Sequence, residues 1–458
     1  MKIRIIILGI AVLLSALNLT AFAKSGAIYE FQLDNGLLLL VKEDHRAPVV
    51  VSQVWYKIGS SYEQAGKTGL SHLLEHMMFK GTAKHGPGEF SRIMAEQGAQ
   101  ENAFTSADYT AYYQKLEKNR LPISFAMEAD RMRGLLFDAA AFEKERQVVI
   151  EERRTRTDDK PTSLTYEAFK STAFQTSPYR NPTIGWPSDL KTMKLPDLQD
   201  WYRQWYAPNN AIVVVVGDVN PQQVYQLAQK HFGKLKPSTI TPPTPRPEVE
   251  QHGIKRITVK RPAKLPYLLM GYKVPVLNSQ QLEAHEQQDV YALELLAAVL
   301  DYGDSARLMR ELVRGQEIAT TVSASYDLFS RLDDLFVFSG IPAQAYDVQA
   351  LEQAIRQQIK RLQTEVVSQQ ALQRIKTQFI ANKIYEKDSV FYQAMQLGEL
   401  AATGLDWRLA EQYIEQVTAI TPAQLQSVAK KYFNDERLTV AVLEPQALDK
   451  TEDTEQVQ

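Results

Sequence analysis

Two histidines and a glutamate lie close together in the stretch SHLLEHMMFK, which runs from Ser71 to Lys80. His72 and His76 are four positions apart, and Glu75 directly precedes the second histidine. On an α-helix, side chains at positions i and i+4 share a face, so both imidazoles can point at one metal ion. The alternative is a solvent-exposed helix face that carries two histidines, but the glutamate and the apolar remainder of the stretch favour a metal site.

A catalytic zinc site usually has three protein ligands and one position for water. Glu75 flanks the point where the two imidazoles would converge, which is where a base can take a proton from the attacking water. The order H-x-x-E-H is that of the inverzincin peptidases. The third ligand must come from another element, and the predicted helix 141–156 carries several glutamates. Glu145 and Glu152 share one face of it, so spacing alone leaves both open, whereas Glu151 points about 100° away.

The composition restricts the classes of function. The chain has 458 residues, of which 44% are hydrophobic and 23% charged, as in a soluble globular protein with two to four domains. The net charge of −2 argues against a nucleic-acid partner. The absence of cysteine excludes disulfides, thiolate metal ligands and cysteine nucleophiles.

The first 23 residues have the features of a secretory signal peptide. Lys2 and Arg4 precede an apolar run of 13 residues, 5–17, and Ala21-Phe22-Ala23 fits a cleavage site. A membrane span needs about 20 apolar residues, so we expect cleavage after Ala23 rather than a retained anchor. The mature chain would then be periplasmic in a Gram-negative bacterium, without stable membrane insertion.

Short strands and amphipathic helices alternate along the chain. Asn35-Gly36 between two apolar runs predicts a hairpin, and Val49 to Tyr56 predicts a third strand. Further strands are predicted at 102–106, 109–116 and 211–216, and helices at 66–80, 120–137, 141–156 and 197–206.

Two segments indicate an internal duplication. LPDLQDWYRQWYAPNNAIVVVVGD, from Leu195, resembles TPAQLQSVAKKYFNDERLTVAVLE, from Thr421, and both predict a helix followed by a valine-rich strand. We therefore predict an α+β fold of two similar domains, each a mainly antiparallel sheet packed with helices, joined by a proline-rich linker. The expected division is a signal peptide 1–23, a zinc-binding domain 24–235, a linker 236–251, a C-terminal inactive repeat 252–447 and a polar tail 448–458.

The stretch GSSYEQAGKTGLSHLLEHMMFKGTAKH resembles the signature of the insulinase/pitrilysin metallopeptidases, in particular the half-length branch of the mitochondrial processing peptidase. The resemblance continues through ENAFTSADYTAYYQ, FEKERQVVIEERR and WYAPNNAIVVVVGDV and covers nearly the whole mature chain. It implies a zinc-dependent endopeptidase that acts on peptides or unfolded protein segments.

Carried over by motif, the resemblance implies that His72 and His76 bind zinc and that Glu75 is the general base. In the pattern E-R-x-x-V-x-x-E, Glu152 matches the third zinc ligand. Glu145 matches the family's additional glutamate, which we expect to orient a ligand histidine or to maintain the electric field of the site.

Asn102-Ala103-Phe104-Thr105 matches the strand edge along which the family binds the substrate backbone, and the expected substrate-binding residues are Asn102, Ala103 and Phe104. In such β-augmentation, main-chain groups at a free sheet edge pair with an extended peptide. The alternative for Asn102 is that it only ends a turn.

The second half departs from the family pattern, which has an Arg and a Tyr seven residues apart that hold substrate and oxyanion. Val313 and Thr320 occupy these positions here. The departure suggests a heterodimer with a homologous subunit that carries the Arg/Tyr pair. The alternative is a homodimer or monomer in which Arg310, Arg314 or Tyr326 fills the gap after a shift of register.

The rival function is a non-catalytic structural or peptide-binding subunit of a family assembly. The intact set of His72, Glu75, His76 and Glu152 argues against a scaffold, which has no need of it.

Overall fold

The structure is a computed structural model that describes residues 26–244, 246–280, 282–283, 286–303 and 306–447. The predicted signal peptide 1–23 and polar tail 448–458 lie outside the described residues. Within the described ranges, no helix combines the length and the apolar character that crossing a membrane requires. Below, "first half" means the described residues before 236 and "second half" those after 251.

Six strands of the first half form one sheet, in the order β1-β2-β6-β3-β5-β4, and only the β2–β6 pair is parallel. The hairpin predicted at Asn35-Gly36 joins the first two strands, and the predicted third strand has the bounds of β3. The strands are β1 (Ile28–Gln32), β2 (Leu38–Glu43), β3 (Val49–Tyr56), β4 (Gln100–Thr105), β5 (Thr110–Glu117) and β6 (Ala211–Gly217).

Five strands of the second half form a second sheet, in the order β7-β11-β8-β10-β9, with only the β7–β11 pair parallel. This arrangement repeats that of β2-β6-β3-β5-β4, which confirms the predicted α+β fold of two similar sheet-and-helix units. The strands are β7 (Lys255–Pro262), β8 (Tyr267–Val274), β9 (Ala319–Ser325), β10 (Asp334–Pro342) and β11 (Leu438–Gln446).

Helices pack on both sheets. Those of the first half are α1 (Leu70–Met77), α2 (Glu89–Glu96), α3 (Leu121–Gly134), α4 (Ala139–Arg153), α5 (Pro161–Ala173), α6 (Pro187–Thr192), α7 (Leu195–Trp205) and α8 (Pro221–Phe232). Those of the second half are α9 (Gln287–Asp301), α10 (Val348–Thr364), α11 (Gln369–Glu386), α12 (Val390–Thr403), α13 (Leu409–Ala419) and α14 (Pro422–Tyr432). The pair α7–β6 and the pair α14–β11 are the two predicted repeat segments.

Two helices are exchanged between the halves. Helix α5 packs on β11, β7 and β8 of the second sheet, and α12 packs on β6 and β3 of the first. At each contact a glycine lies against a buried aromatic ring, Gly398 of α12 against Trp55 and Gly271 of β8 against Phe169. A Cβ atom at either glycine would overlap that ring, so only glycine fits there. The close approach that glycine allows therefore locks each half onto the other.

The described residues of 236–251 form neither helix nor strand, but their path is held in place. The carboxylate of Glu248 accepts hydrogen bonds from the backbone N–H groups of Gln175, Thr176 and Ser177, at 2.9–3.0 Å, and pairs with Lys273 at 2.7 Å. Burial raises the pKa of Glu248, but these donors outweigh it and bring the pKa to about 2. An ionised carboxylate thus fastens this segment to both halves.

Candidate metal centre and substrate edge

Helix α1 carries the two motif histidines on one face. Leu73, Leu74 and Met77 on its other side are fully buried in the core of the first half. These apolar contacts fix the rotation of the helix and leave His72 and His76 mostly buried together, 13% and 21% exposed, with ring centroids 4.9 Å apart.

The start of α1 is set by residues upstream of the motif. Gly69 has φ +91°, which an α-helix cannot contain, so the helix is shorter than the predicted 66–80. The buried Glu63 accepts hydrogen bonds from the N–H groups of Gly69 and Ser71, both at 2.7 Å. Free N–H groups at a helix N-terminus need such partners, and Glu63 thereby holds the first turn that leads into His72.

Helix α4 packs against α1 and brings Glu152 to the two histidines. One ligand atom from each of His72, His76 and Glu152 lies within 4.8 Å of the others. Glu152 Oε2 is 3.7 Å from His72 Nε2 and 3.4 Å from His76 Nε2. Ligands about 2.0–2.2 Å from one tetrahedral zinc ion are about 3–4 Å apart, so the donor set fits zinc.

The state of His72 suits metal binding. Burial, aided by the nearby charges of His76 and Arg156, lowers the pKa of His72 to about 3. The ring is therefore neutral at pH 7, which is the form in which an imidazole binds a metal.

Glu145 lies behind His76 rather than beside the convergence point. Its Oε2 is 3.4 Å from His76 Nδ1, the ring nitrogen that faces away from Glu152, and its Oε1 is 2.8 Å from Lys80 Nζ. Spacing left Glu145 and Glu152 equivalent, and in the structure only Glu152 meets both histidines. Glu145 is placed to orient the His76 ring.

Glu75 sits on the same helix and is held from the sheet. Thr105, the last residue of β4, donates a hydrogen bond from Oγ1 to Glu75 Oε2 at 2.5 Å. Burial raises the pKa of Glu75, while the Thr105 hydrogen bond and the charge of His76 act in the opposite direction. A carboxylate with a raised pKa is a better proton acceptor near neutral pH than an exposed one.

The predicted substrate-binding residues lie on β4, at one edge of the first sheet. Asn102, Ala103 and Phe104 pair with β5 on one side, and the Asn102 side chain accepts the N–H of Ala103 at 2.9 Å. The Phe104 ring packs edge-on against Trp55, 5.4 Å away. Helix α1 also contacts β4, so this edge runs beside the candidate metal centre.

Three neighbours of the catalytic groups were not assigned that place from the sequence: Thr105, expected only as part of the strand edge, Lys80 and Arg156. Arg156 Nη1 lies 2.7 Å from Glu152 Oε1. Glu151, expected to point away from the site, is exposed and pairs with Arg154. Two signals were present in the sequence. One is a hydroxyl residue at the end of an edge strand, and the other is a basic residue four positions after a helix carboxylate or histidine. They are too common to have been selected without the fold.

The second half carries no equivalent of the family's Arg and Tyr in the positions expected. Val313 lies in a π-helical turn, Met309–Gly315, and packs against the core of that half. Thr320 Oγ1 donates a hydrogen bond to the carbonyl oxygen of Pro342 at 3.4 Å. The Tyr326 hydroxyl donates to the carbonyl of Pro275 at 2.5 Å, and its ring stacks on Phe336, so Tyr326 is used within the core.

A cavity of about 630 Å³ lies between the halves, next to the candidate metal centre. Ser106, which follows the Glu75 partner Thr105, and Arg156, which contacts Glu152, both line it. Tyr267 and Glu399 of the second half line the opposite side.

Sequence comparison matches two family models. Residues 38–186 match the insulinase model of peptidase family M16, and residues 192–379 match the M16 inactive domain. The chain is 34% identical to the zinc protease PqqE of Helicobacter pylori over 90% of this chain and 92% of that protein. It is 25% identical to an uncharacterized zinc protease of Rickettsia felis over 91% of this chain and 97% of that protein.

Structural comparison agrees. A protease from Helicobacter pylori superimposes with a TM-score of 0.86 at 32% identity, covering 92% of this chain and 100% of that chain. An M16 inactive-domain protein from Pseudomonas fluorescens shares the fold, with a TM-score of 0.82 at 16% identity over 93% of this chain and 99% of that chain. From the matched models and the similarity along nearly its whole length, the chain belongs to the insulinase family of peptidases, family M16.

Proposed function

We propose that this chain is a zinc-dependent endopeptidase that hydrolyses peptides or unfolded protein segments. The observation that carries the proposal is the convergence of His72, His76 and Glu152 ligand atoms within 4.8 Å, with Glu75 on the same helix as the histidines. Relatives that bear the name zinc protease support it.

The residues divide the chemistry among them. Zinc held by His72, His76 and Glu152 would supply a Lewis acid that polarises the attacking water and the scissile carbonyl. Glu75 accepts the proton of the attacking water and donates it to the leaving amine. Glu145 acts through His76: it contacts Nδ1 of that histidine and so fixes the orientation of the ring.

The substrate would bind as an additional strand along β4. The backbone of an extended peptide pairs with the free side of Asn102, Ala103 and Phe104, which lies beside the histidine helix. Pairing of this kind requires free backbone N–H and C=O groups in an extended segment. It therefore favours flexible peptides and unfolded segments over folded proteins.

We propose in addition that a homologous subunit completes the site. The Arg and Tyr of the family pattern are replaced by Val313 and Thr320, and the Tyr326 hydroxyl is engaged by Pro275. A partner that carries the pair would face the first half of this chain. The sequence of residues 1–23 supports export and a periplasmic location for such an assembly.

A second candidate function is a non-catalytic subunit that binds peptides along β4 or serves as a structural component. The same replacement of the Arg/Tyr pair favours it. The two candidates differ in whether the metal centre is used.

The deciding experiment is hydrolysis of a fluorogenic peptide by the purified chain, alone and with the partner encoded nearby. We expect cleavage that a chelator abolishes and added zinc restores. Cleavage that is insensitive to the chelator would contradict the zinc mechanism. A zinc-loaded chain that binds the peptide but never cleaves it, with or without the partner, would favour the second candidate.

A further inference from the structure

Arg156 lies on a π-helical turn, Arg154–Asp158, that directly follows α4. It is four positions after Glu152, and its NH1 is 2.7 Å from Glu152 Oε1. The other carboxylate oxygen, Oε2, is the one that approaches both histidines. The guanidinium therefore pairs with the Glu152 oxygen that does not approach the histidines.

Most of the Arg156 side chain remains accessible. It is 73% exposed despite the ion pair, and it lines the cavity between the halves. A guanidinium has five N–H donors in a planar fork, and Glu152 occupies one nitrogen. Within the described ranges, Glu152 is the one carboxylate that pairs with Arg156, so donors remain that face the cavity.

Arg154, two positions earlier, provides a natural comparison. It is 54% exposed and lies at the start of the same turn, but it pairs with Glu151 and Asp159, each at 2.5 Å. Both partners lie outside the metal cluster. Of these two exposed arginines, Arg156 alone touches a residue of the centre.

We propose that Arg156 contacts the substrate, donating from its free N–H groups to the main-chain carbonyl oxygen of a peptide bound along β4, next to the scissile bond. This rests on the proposed function and deepens it. A peptide beside β4 would pass Thr105 and Glu75 and reach the cavity end lined by Ser106 and Arg156. A fixed cation there stabilises negative charge that develops on the carbonyl. Arg156 thereby performs, within this chain, part of the role for which the second half has no Arg/Tyr pair.

The test separates substrate contact from support of Glu152. Zinc content and the affinity for a fluorescently labelled, uncleaved peptide are measured by metal analysis and anisotropy in the Glu75→Gln background. Arg156→Ala, Arg156→Lys and Arg154→Ala are compared. We expect Arg156→Ala to keep its zinc and to bind the peptide at least about 10-fold more weakly, as for loss of a charged hydrogen bond. Lysine keeps the charge without the fork and should recover part of the affinity, and Arg154→Ala should bind normally.

With Glu75 intact, Arg156→Ala should lower kcat/KM by about 10²–10³, Arg156→Lys should lower it less, and Arg154→Ala should leave it unchanged. Normal peptide affinity in zinc-loaded Arg156→Ala would overturn the proposal, as would a loss of zinc that accounts for the whole loss of activity. If the unsubstituted chain hydrolyses nothing, the proposed function fails, yet the anisotropy measurement still decides whether Arg156 contacts the peptide.

Discussion

Thr105 and Glu75 join the edge of the first sheet to the histidine helix through one hydrogen bond, with Oγ1 and Oε2 2.5 Å apart. Thr105 ends β4, where we expect the substrate to pair, and Glu75 is the proposed base. The position of the base therefore depends on the strand that would hold the substrate.

Replacing Thr105 with valine keeps the shape of the side chain and removes the donor. We expect kcat/KM to fall at least about 10-fold, because a hydrogen bond to a charged group contributes about 1.5–3 kcal/mol. Thr105→Ser keeps the hydroxyl and should stay near the unsubstituted rate. Equal rates for the valine and serine variants in steady-state peptide cleavage would show that the bond does not position Glu75.

Glu75→Gln keeps the size of the side chain and removes the base. Zinc should remain at one per chain, while peptide hydrolysis falls by at least about 100-fold, the lower range for loss of a general base. Metal analysis and a progress curve on one preparation provide both quantities. Near-normal turnover in the zinc-loaded variant would be incompatible with the mechanism.

Glu152→Gln should weaken zinc retention, since a neutral amide replaces the carboxylate that meets both histidines. We expect a loss of affinity greater than the 10–100-fold typical of residues that only support a ligand. Glu151→Gln is the matched control, because this neighbour is exposed and pairs with Arg154. Undiminished zinc in Glu152→Gln, measured by competition with a chelator, would move the third ligand elsewhere, with Glu145 the next candidate.

Glu399 of α12 predicts a pH dependence of stability. Burial, with a contribution from the charge of Asp327, raises its pKa from 4.5 to about 7, and the Tyr109 hydroxyl donates to it at 3.0 Å. Between these two pKa values the folded chain keeps a proton that the unfolded chain has lost. Its contribution to stability is therefore complete below pH 4.5 and declines as the pH rises through 7.

Glu399→Gln abolishes this titration. The difference in Tm between the variant and the unsubstituted chain should shift in favour of the variant by about 2 °C from pH 5 to pH 8, which about 2 kcal/mol produces in a chain of this length. Thermal unfolding at both pH values measures it, with the exposed Glu415→Gln on α13 as control. Parallel curves for all three proteins would refute the assignment.

The isolated chain should bind zinc and cleave poorly, because a homologous partner would add the missing Arg and Tyr donors. Loss of such donors typically costs on the order of 10²–10³ in rate. Addition of the partner should restore a rate increase of this order in the peptide assay and form a complex of one copy each in light scattering. Full activity of the chain alone, unchanged by the partner, would favour a monomer or homodimer.

Local pattern was sufficient for the strands and for proposing the two histidines as candidate ligands. The valine-rich run 49–56 lies between clear breaks, and its bounds were predicted correctly as β3. His72 and His76 needed only the helix period. Glu145 and Glu152 are two turns apart on one face, so helix geometry could not separate them. The packing of α4 on α1 distinguishes them, because it places Glu145 next to Nδ1 of His76 and Glu152 next to Nε2.

The exchange of α5 and α12 had no local signal. Each helix is amphipathic in the ordinary way, and the sheet it covers is formed by residues far away in sequence. The only local indications were Gly398 and Gly271. The need for glycine at these positions becomes clear only when Trp55 and Phe169 are seen to pack against them. Similarly, nothing near Arg156 or Thr105 in the sequence shows that one reaches Glu152 and the other Glu75.

The exchanged helices make the two halves a single cooperative folding unit despite their repeated architecture. Each sheet has one face that a helix of the other half covers, since α12 packs on β3 and β6 while α5 packs on β7, β8 and β11. Severing the backbone within 236–251 would therefore not release two stable fragments. It would leave a nicked molecule whose pieces complement each other, and either piece made alone would expose the surface that the other supplies.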